Sequence, residues 1–258
     1  MMRRGAVGKS MSDKFWYLKN CSLFQQLTPD ELGRIESRSR MRSIPKGSPI
    51  YLPADSSAGV LLLAKGRVKI CHLTPEGKQS ILAFIEPGEL FGELALLDES
   101  KRDDYAEAVD RSEVVLVPAE EMHHLIDSHP SIAMGITKLI GMRRRRIERR
   151  LKNLLFRSNR ERLVHLILEL AEQYGETTAT GVELSIKLSH QELANVIGST
   201  RETVTVLLGE LQSQRLIRVA RRRIAIIDMD QLAASVMAEP PQLPQGHETP
   251  TRQPTLGH

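Results

Sequence analysis

The sequence predicts an α+β chain: short strands in the first half, one long helix in the middle, and a helical last third closed by a small hairpin. Three observations carry that reading. Between Ser37 and Val117, short apolar runs alternate with glycine and proline turns. Ser131 to Phe156 reads as one uninterrupted helix. The stretch Ser189 to Gln212, SHQELANVIGSTRETVTVLLGELQ, reads as two short amphipathic helices joined at a glycine, and the rest of the chain is organised around it.

At 258 residues with 41% hydrophobic content, there is room for two modest domains with ordinary cores. No apolar run approaches the length that spans a bilayer. The start, MMRRGAVGKS, is basic but has no apolar segment, so it does not read as a secretory signal. Met1, Met2 and Met11 are all possible starts, and residues 1–14 are expected to be a flexible lead. Cys21 and Cys71 are too few for a disulfide framework or for a four-thiolate iron–sulfur cluster. A reducing cytoplasm is the expected setting, and no metal site is expected.

Phe15 to Glu36 reads as helical, with Thr28 as a cap and Pro29 at a first helical position. Strand-like runs follow at Ile50–Leu52, Val60–Ala64, Val68–His72, Ile81–Ile85 and Val114–Val117. Pro45/Gly47, Lys65-Gly66, Pro75-Glu76-Gly77 and Pro87-Gly88 separate them. Regular short strands between such turns predict a closed β-roll or jelly roll, here 15–130 with its flanking helices.

Pro118-Ala119-Glu120-Glu121 starts another helix, which His129-Pro130 interrupts. In the long helix, 131–157, Ala133, Ile136, Ile140, Ile147 and Leu154 form a rough heptad seam, supported by Leu139 and Leu151. Such a stripe predicts a helix–helix dimer contact. Arg143 falls in that seam, and the run Arg143 to Arg146 reads as a solvated or salt-bridged face. A further helix, Arg160 to Gln173, opens the last domain, 158–237. The remaining 238–258, rich in proline and poor in apolar residues, is expected to be disordered.

Within the central stretch, Ser189 and Glu192 have capping-box spacing, and Leu193, Val196 and Ile197 share one helical face. Gly198 falls where a sharp turn needs positive φ. Ser199 or Thr200 caps the second helix, which turns Val204, Leu207, Leu208 and Leu211 inward. Arg201, Glu202, Thr205 and Val206 face outward at its start. This is helix-turn-helix geometry, suited to a major groove. Leu216–Val219, Arg221-Arg222-Arg223 and Ile224–Ile227 then read as a β-hairpin wing with a basic tip. From Lys138 to Arg223 there are eighteen Lys/Arg against nine Asp/Glu, whereas the whole chain carries a net charge of only +4. A segment that basic predicts nucleic-acid binding.

With β-roll, long helix and winged helix in that order, Phe15 to Val236 resembles the cyclic-AMP receptor protein and fumarate–nitrate regulator family of bacterial transcription factors. PGELFGELALLDE at 87–99 and GSTRETVTVLLGEL at 198–211 carry the resemblance most specifically. The resemblance implies a cyclic-nucleotide-binding-like jelly roll and a homodimer that reads a palindrome in double-stranded DNA. It also implies that Arg201 and Glu202 read bases, a guanidinium on guanine O6 and N7 and a carboxylate on cytosine N4. Where the receptor protein has a second base-reading arginine, this chain has Val206, which can touch a thymine methyl. Ser189, Ser199, Thr200, Thr203, Arg221, Arg222 and Arg223 are the phosphate-positioning candidates.

The resemblance also implies an effector pocket, here degenerate. Gly92 and Glu93 match the backbone donor and the ribose-binding carboxylate. The position of the phosphate-binding arginine is Asp103, between Arg102 and Asp104, although a one-residue slip puts Arg102 in that role. On the long helix the purine-facing positions are Ile147 and Glu148. Dependence on cyclic AMP is therefore not expected. Nor is haem: Cys71 and His72 are adjacent on a predicted strand and point to opposite faces. The effector, if one acts, is not identified.

These readings converge on a cytoplasmic, homodimeric regulator that contacts DNA and RNA polymerase, with Ile136, Ile140, Ile147, Leu151 and Leu154 in the dimer helix and Leu155 to Asn159 as a hinge. The alternative is a cyclic-nucleotide or other small-molecule binding module acting through protein contacts. No nucleophile–base constellation or lysine-tailed phosphate loop points to an enzyme, and His123, His124, His165 and His190 read as surface or interface residues.

Overall fold

The computed structural model describes residues 13–56, 58–74, 79–97, 102, 104–220 and 222–244. The chain forms two compact units, Met1–Ile147 and Glu148–His258. The boundary falls inside the long helix.

The first unit begins with α1 (Asp13–Asn20), a 3-10 turn (Ser22–Phe24) and α2 (Pro29–Arg38). The helical stretch expected over Phe15–Glu36 is divided, with its second helix starting at the expected Thr28 cap. Thr28 and Glu31 form a reciprocal capping box, with the Thr28 N–H donating to Glu31 Oε2 at 2.8 Å, and Pro29 follows the cap. That arrangement starts a new helix rather than continuing the old one. Eight strands follow: β1 (Arg40–Ile44), β2 (Pro49–Tyr51), β3 (Gly59–Lys65), β4 (Val68–Leu73), β5 (Gln79–Ile85), β6 (Leu90–Phe91), β7 (Tyr105–Ala108) and β8 (Ser112–Pro118). They make two four-stranded antiparallel sheets, ordered β1-β8-β3-β6 and β2-β7-β4-β5. The β-roll is therefore as expected, with three strands more than the sequence showed. Arg40–Ile44 buries one side chain of five, and Tyr105–Ala108 is mostly alanine and glutamate, so neither carries an apolar alternation.

Strand β3 shows how the roll is filled. Val60, Leu62 and Ala64 join a cluster with Leu18, Phe24, Ile35, Val115 and Met122, while Leu61 and Leu63 join another with Val68, Ile85 and Phe91. Alternate side chains leave a strand on opposite faces. A strand covered on both faces reads as one continuous apolar run, which is what GVLLLA at 59–64 is. On β4, Cys71 is buried and His72 exposed, as the alternation requires.

The unit closes with α3 (Ala119–Ser128) and the first part of α4 (Pro130–Phe156). Ile136 needs a correction. It belongs to the first cluster at 6% exposure, with Ile132 buried beside it and Leu139 and Ile140 packed partly against it. The early turns of the expected seam thus face their own β-roll, because the i, i+4 face that holds Ile132 and Ile136 is the one laid on that core. The apolar side chains left exposed on α4 lie mostly later, at Met142, Ile147, Leu151, Leu154, Leu155 and Phe156.

The second unit continues from α4 into α5 (Asn159–Tyr174), β9 (Gly175–Thr178), β10 (Gly181–Leu184), α6 (His190–Ile197), α7 (Arg201–Ser213), β11 (Ile217–Ala220), β12 (Arg223–Ile226) and α8 (Met229–Ala234). Its core gathers Leu163, Val164, Ile167, Leu193, Val204, Leu208, Leu211, Ile224 and Leu232, each at most 4% exposed. The wing is larger than the expected hairpin. β11 and β12 are joined by β10 and β9 in an antiparallel sheet ordered β11-β12-β10-β9. The polar sequences GETT and GVEL had hidden the two extra strands. After α8, residues 238–244 form no regular element, and Leu243 lies against Gly175. The rest of the tail lies outside the described residues, as does nearly all of the expected N-terminal lead; α1 starts at Asp13.

Candidate DNA interface and effector pocket

The helix-turn-helix is built by local chemistry at three points. Ser189 caps α6: its N–H and hydroxyl donate to Glu192 Oε2 at 2.7 and 2.6 Å, and its Oγ accepts from the Glu192 N–H at 3.2 Å. Gly198 ends α6 in the left-handed region, at φ 66° and ψ 46°. A side chain there would be strained, and its Cβ would lie 2.9 Å from Leu154 Cδ2. Thr200, rather than Ser199, caps α7, accepting from the Thr203 N–H at 3.2 Å. Val204, Leu208 and Leu211 are then buried, and Arg201, Glu202, Thr205 and Val206 are exposed on the opposite face, Val206 at 60%.

These four outward residues are not equivalent. Among the described residues, nothing accepts a hydrogen bond from the Arg201 guanidinium. The Glu202 carboxyl is held below the usual carboxylate range, first by its own backbone N–H and then by the Thr200 hydroxyl, with Arg201 adding a smaller effect. The Thr205 hydroxyl donates to Arg201 O at 2.8 Å and lies 2.8 Å from His190 Nδ1. Among the expected phosphate contacts, the hydroxyls of Ser189, Thr200 and Thr203 take part in caps, and Ser199 is partly buried in the turn. Arg222 sits at the wing turn with φ 69°. Arg223 lies inside β12, where it donates to Glu183 of β10 at 2.8 Å. Arg221 lies outside the described residues.

Sequence reasoning missed Arg162. Its Nε donates to Arg157 O at 3.0 Å, its Nη2 to Leu154 O at 2.7 Å and its Nη1 to Ile197 O at 3.4 Å. Three carbonyls, from the end of α4, the linker and the end of α6, thus share one planar donor fork. The segment read as a hinge, Leu155 to Asn159, is in this structure a two-residue link between helices, tied down by Arg162 and by a Ser158–Glu161 capping box. The planar fork is the only signal, and no spacing in the sequence reveals what it will bind.

In the β-roll, Gly92 has φ 70° and opens a 3-10 turn at Glu93. Glu93 is 6% exposed and pairs with Arg143, whose other terminal nitrogen donates to Leu90 O. The structure brings Arg102 against Gly92, with its Nη1 3.4 Å from Gly92 O. Its Nη2 donates to Gly59 O at 2.9 Å, and the guanidinium stacks 4.1 Å from the centre of the Tyr51 ring. A Cβ on Gly92 would lie 2.5 Å from Arg102 Nη1, so only glycine admits this approach. Burial raises the Tyr51 hydroxyl above its ordinary range, and the Asp104 charge adds to it; burial likewise raises the Asp104 carboxyl, partly offset by Arg102. Asp103 lies outside the described residues. Ile147 and Glu148 are exposed on α4. Among the described residues, no group of three or more His, Cys, Asp or Glu is placed to hold a metal ion, and no helix is long and apolar enough to cross a membrane.

Comparison with known proteins agrees with both halves of this architecture. Residues 41–129 match the family model of the cyclic nucleotide-binding domain, and 161–235 that of the Crp-like helix-turn-helix domain. The chain is 32% identical to the global nitrogen regulator of Synechococcus elongatus over 200 residues, covering 77% of this chain and 90% of that protein. It is also 32% identical to the cyclic AMP receptor protein of Thermus thermophilus over 202 residues, covering 78% and 90%. A CooA mutant from Carboxydothermus hydrogenoformans shares the fold with a TM-score of 0.69 at 22% identity, over 79% of this chain and 90% of that one. A buried β-roll core, a helix-turn-helix with the outer face of its second helix exposed, and relatives matched over most of their length place this chain in the cyclic-AMP receptor protein and fumarate–nitrate regulator family of DNA-binding transcription regulators.

Proposed function

We propose that the chain acts as a homodimer that reads a palindromic site, one α7 in each of two adjacent major grooves about 34 Å apart. The observation that carries this is the outer face of α7: Arg201, Glu202, Thr205 and Val206 are exposed together on a helix whose other face is fully buried. Arg201 addresses a guanine edge, Glu202 a cytosine amino group, and Val206 a thymine methyl. The N-terminal ends of α6 and α7, around Ser189, Ser199, Thr200 and Thr203, and the wing arginines Arg221, Arg222 and Arg223 set register on phosphates. Exposed Ile147, Leu151 and Leu154, continued by Leu155 and Phe156, form the dimer seam. The protein acts at promoters in contact with RNA polymerase and has no catalytic role.

The β-roll works without ordinary cyclic AMP dependence. A nucleotide would need the Arg102 guanidinium and the Glu93 carboxylate, and both are already engaged inside the protein. Ile147 and Glu148 stand where the family meets the purine. Charge and hydrogen bonding that are already satisfied must be undone before a ligand can use them, and that cost works against binding.

Affinities of two variants for a selected site and for a scrambled duplex test this reading. Arg201→Ala should lose about 1–3 kcal/mol on the selected site and relax choice at one position per half-site. Arg222→Ala should weaken both duplexes alike and reduce the salt slope by about 1. Identical behaviour of the two variants on both duplexes contradicts the assignment. A steep salt dependence with no preferred sequence favours a module that acts through protein contacts.

A further inference from the structure

The second turn of α7 carries an arrangement that involves a histidine from outside that helix. Thr205 Oγ1 donates to Arg201 O, one turn back, at 2.8 Å. A hydroxyl has a single hydrogen, so the contact of 2.8 Å between the same oxygen and His190 Nδ1 has the imidazole N–H as its donor. The threonine oxygen is therefore held on both sides, by its own helix and by the first residue of α6. A threonine side chain has one strongly restricted torsion, and two hydrogen bonds on its oxygen fix that torsion. With the hydroxyl hydrogen and one lone pair committed and the torsion fixed, the γ-methyl is the main surface Thr205 has left to offer a base edge.

The neighbouring positions agree. Val206, at 60% exposure, presents two further methyls. One turn on, Gly209 presents no side chain, and nothing lies within 4 Å of where its Cβ would be. Beyond the charged pair Arg201 and Glu202, the next turn of the reading face is thus lined with methyl groups. Such a surface suits the C5-methyl of thymine, and with its hydrogen spent on Arg201 O the Thr205 hydroxyl has no donor left for the acceptors on guanine.

We propose that His190 is a positioning residue for sequence choice: by holding the Thr205 hydroxyl, it fixes Thr205 as a methyl reader that selects thymine beside the base pair read by Arg201 and Glu202. This rests on the reading of α7 as the base-reading helix. His190 itself touches no base in this account, and it acts through Thr205.

The test replaces thymidine with deoxyuridine, one position at a time, in the half-site selected by the full-length protein. Affinity and melting temperature are measured for the wild type, Thr205→Ser, His190→Ala and His190→Asn, with Val206 kept throughout. The wild type should lose about fourfold, the worth of one buried methyl, at the thymine that Thr205 meets, beside the loss at the thymine that Val206 meets. Thr205→Ser and His190→Ala should bind the thymine and uracil sites much more equally. Asparagine places an amide N–H close to where Nδ1 lies, so His190→Asn should keep most of the discrimination, a rescue that general loss of folding would not give. Equal wild-type affinity for every uracil site, or full discrimination in His190→Ala, overturns the proposal. A protein with no preferred duplex at all sinks the base-reading helix and this proposal together, whereas a normal preferred site without thymine–uracil discrimination overturns this proposal alone.

Discussion

The two units differ in what their most telling arginines do. In the β-roll, Arg102 is 9% exposed, stacked on Tyr51 and bonded to two backbone carbonyls, and Arg143 pairs with the buried Glu93. In the DNA-binding unit, Arg201 stands exposed at the head of α7, with its guanidinium donating to nothing among the described residues. A guanidinium cannot lose its charge, so once it is taken out of water it must find acceptors. The first unit therefore uses these two arginines to hold together the segment around Gly92 and Glu93. The second leaves one where an external acceptor can take it, and Arg162 shows that the same unit can also tie an arginine down where a joint needs fixing.

Removing a buried partner should break this contrast most severely. Arg143→Met leaves Glu93 buried without its cation and should cost about 3–5 kcal/mol in urea unfolding of the first unit. Arg201→Met, at an exposed position where the guanidinium has no acceptor among the described residues, should change stability by no more than about 0.5 kcal/mol. Equal costs for the two would remove the distinction.

A smaller effect concerns His165 on α5. Its Nε2 is buried with no hydrogen-bond partner among the described residues. Burial lowers its pKa, the Arg157 charge lowers it further, and Glu161 opposes them. A histidine whose folded pKa is depressed stays neutral in the native state while the unfolded chain takes up a proton. Stability should therefore fall as pH drops through the ordinary histidine value of 6.5 towards the lower folded value. Urea midpoints of the DNA-binding unit's transition at pH 7.5 and 5.5 should differ in the wild type, and His165→Gln should reduce that difference. An unchanged pH dependence in the variant rules out His165 as its source.

The smallest expected effect is none. Cyclic AMP bound to the native state would raise its melting temperature, increasingly so as its concentration passes the dissociation constant. With Arg102 and Glu93 engaged, millimolar cyclic AMP should leave the melting temperature where it was. A rise of several degrees would show that the pocket opens, and would make the two units alike in offering an arginine to an external acceptor.

Much of the DNA-binding unit was legible because its signals are local. The capping box at Ser189, the left-handed turn at Gly198 and the cap of α7, which falls on Thr200 of the two candidates, depend on residues close in sequence, and each appears as its spacing implies. The β-roll pocket was less legible because its contacts are remote in sequence. Arg143 reaches back fifty residues to Glu93 and Arg102 reaches forty-three to Gly59, and no periodicity records such pairs. Ile136 was misplaced for a related reason: an apolar stripe on a helix shows that a face is buried without showing against what. Strands β7, β9 and β10 escaped because their pairing, rather than their apolar content, holds them in place. The His190–Thr205 contact joins two helices across the turn, fifteen residues apart, beyond the reach of any capping rule.

The central claim is that two copies of α7, related by a two-fold axis, present Arg201 and Glu202 to base edges. Selection of bound duplexes from a random pool by the full-length protein tests it most directly. The account predicts enrichment of an inverted repeat whose half-sites lie about one helical turn apart and each contain a G·C pair that Arg201→Ala no longer demands. Recovery of no inverted repeat, or of the same repeat with the same G·C demand from Arg201→Ala, would contradict it.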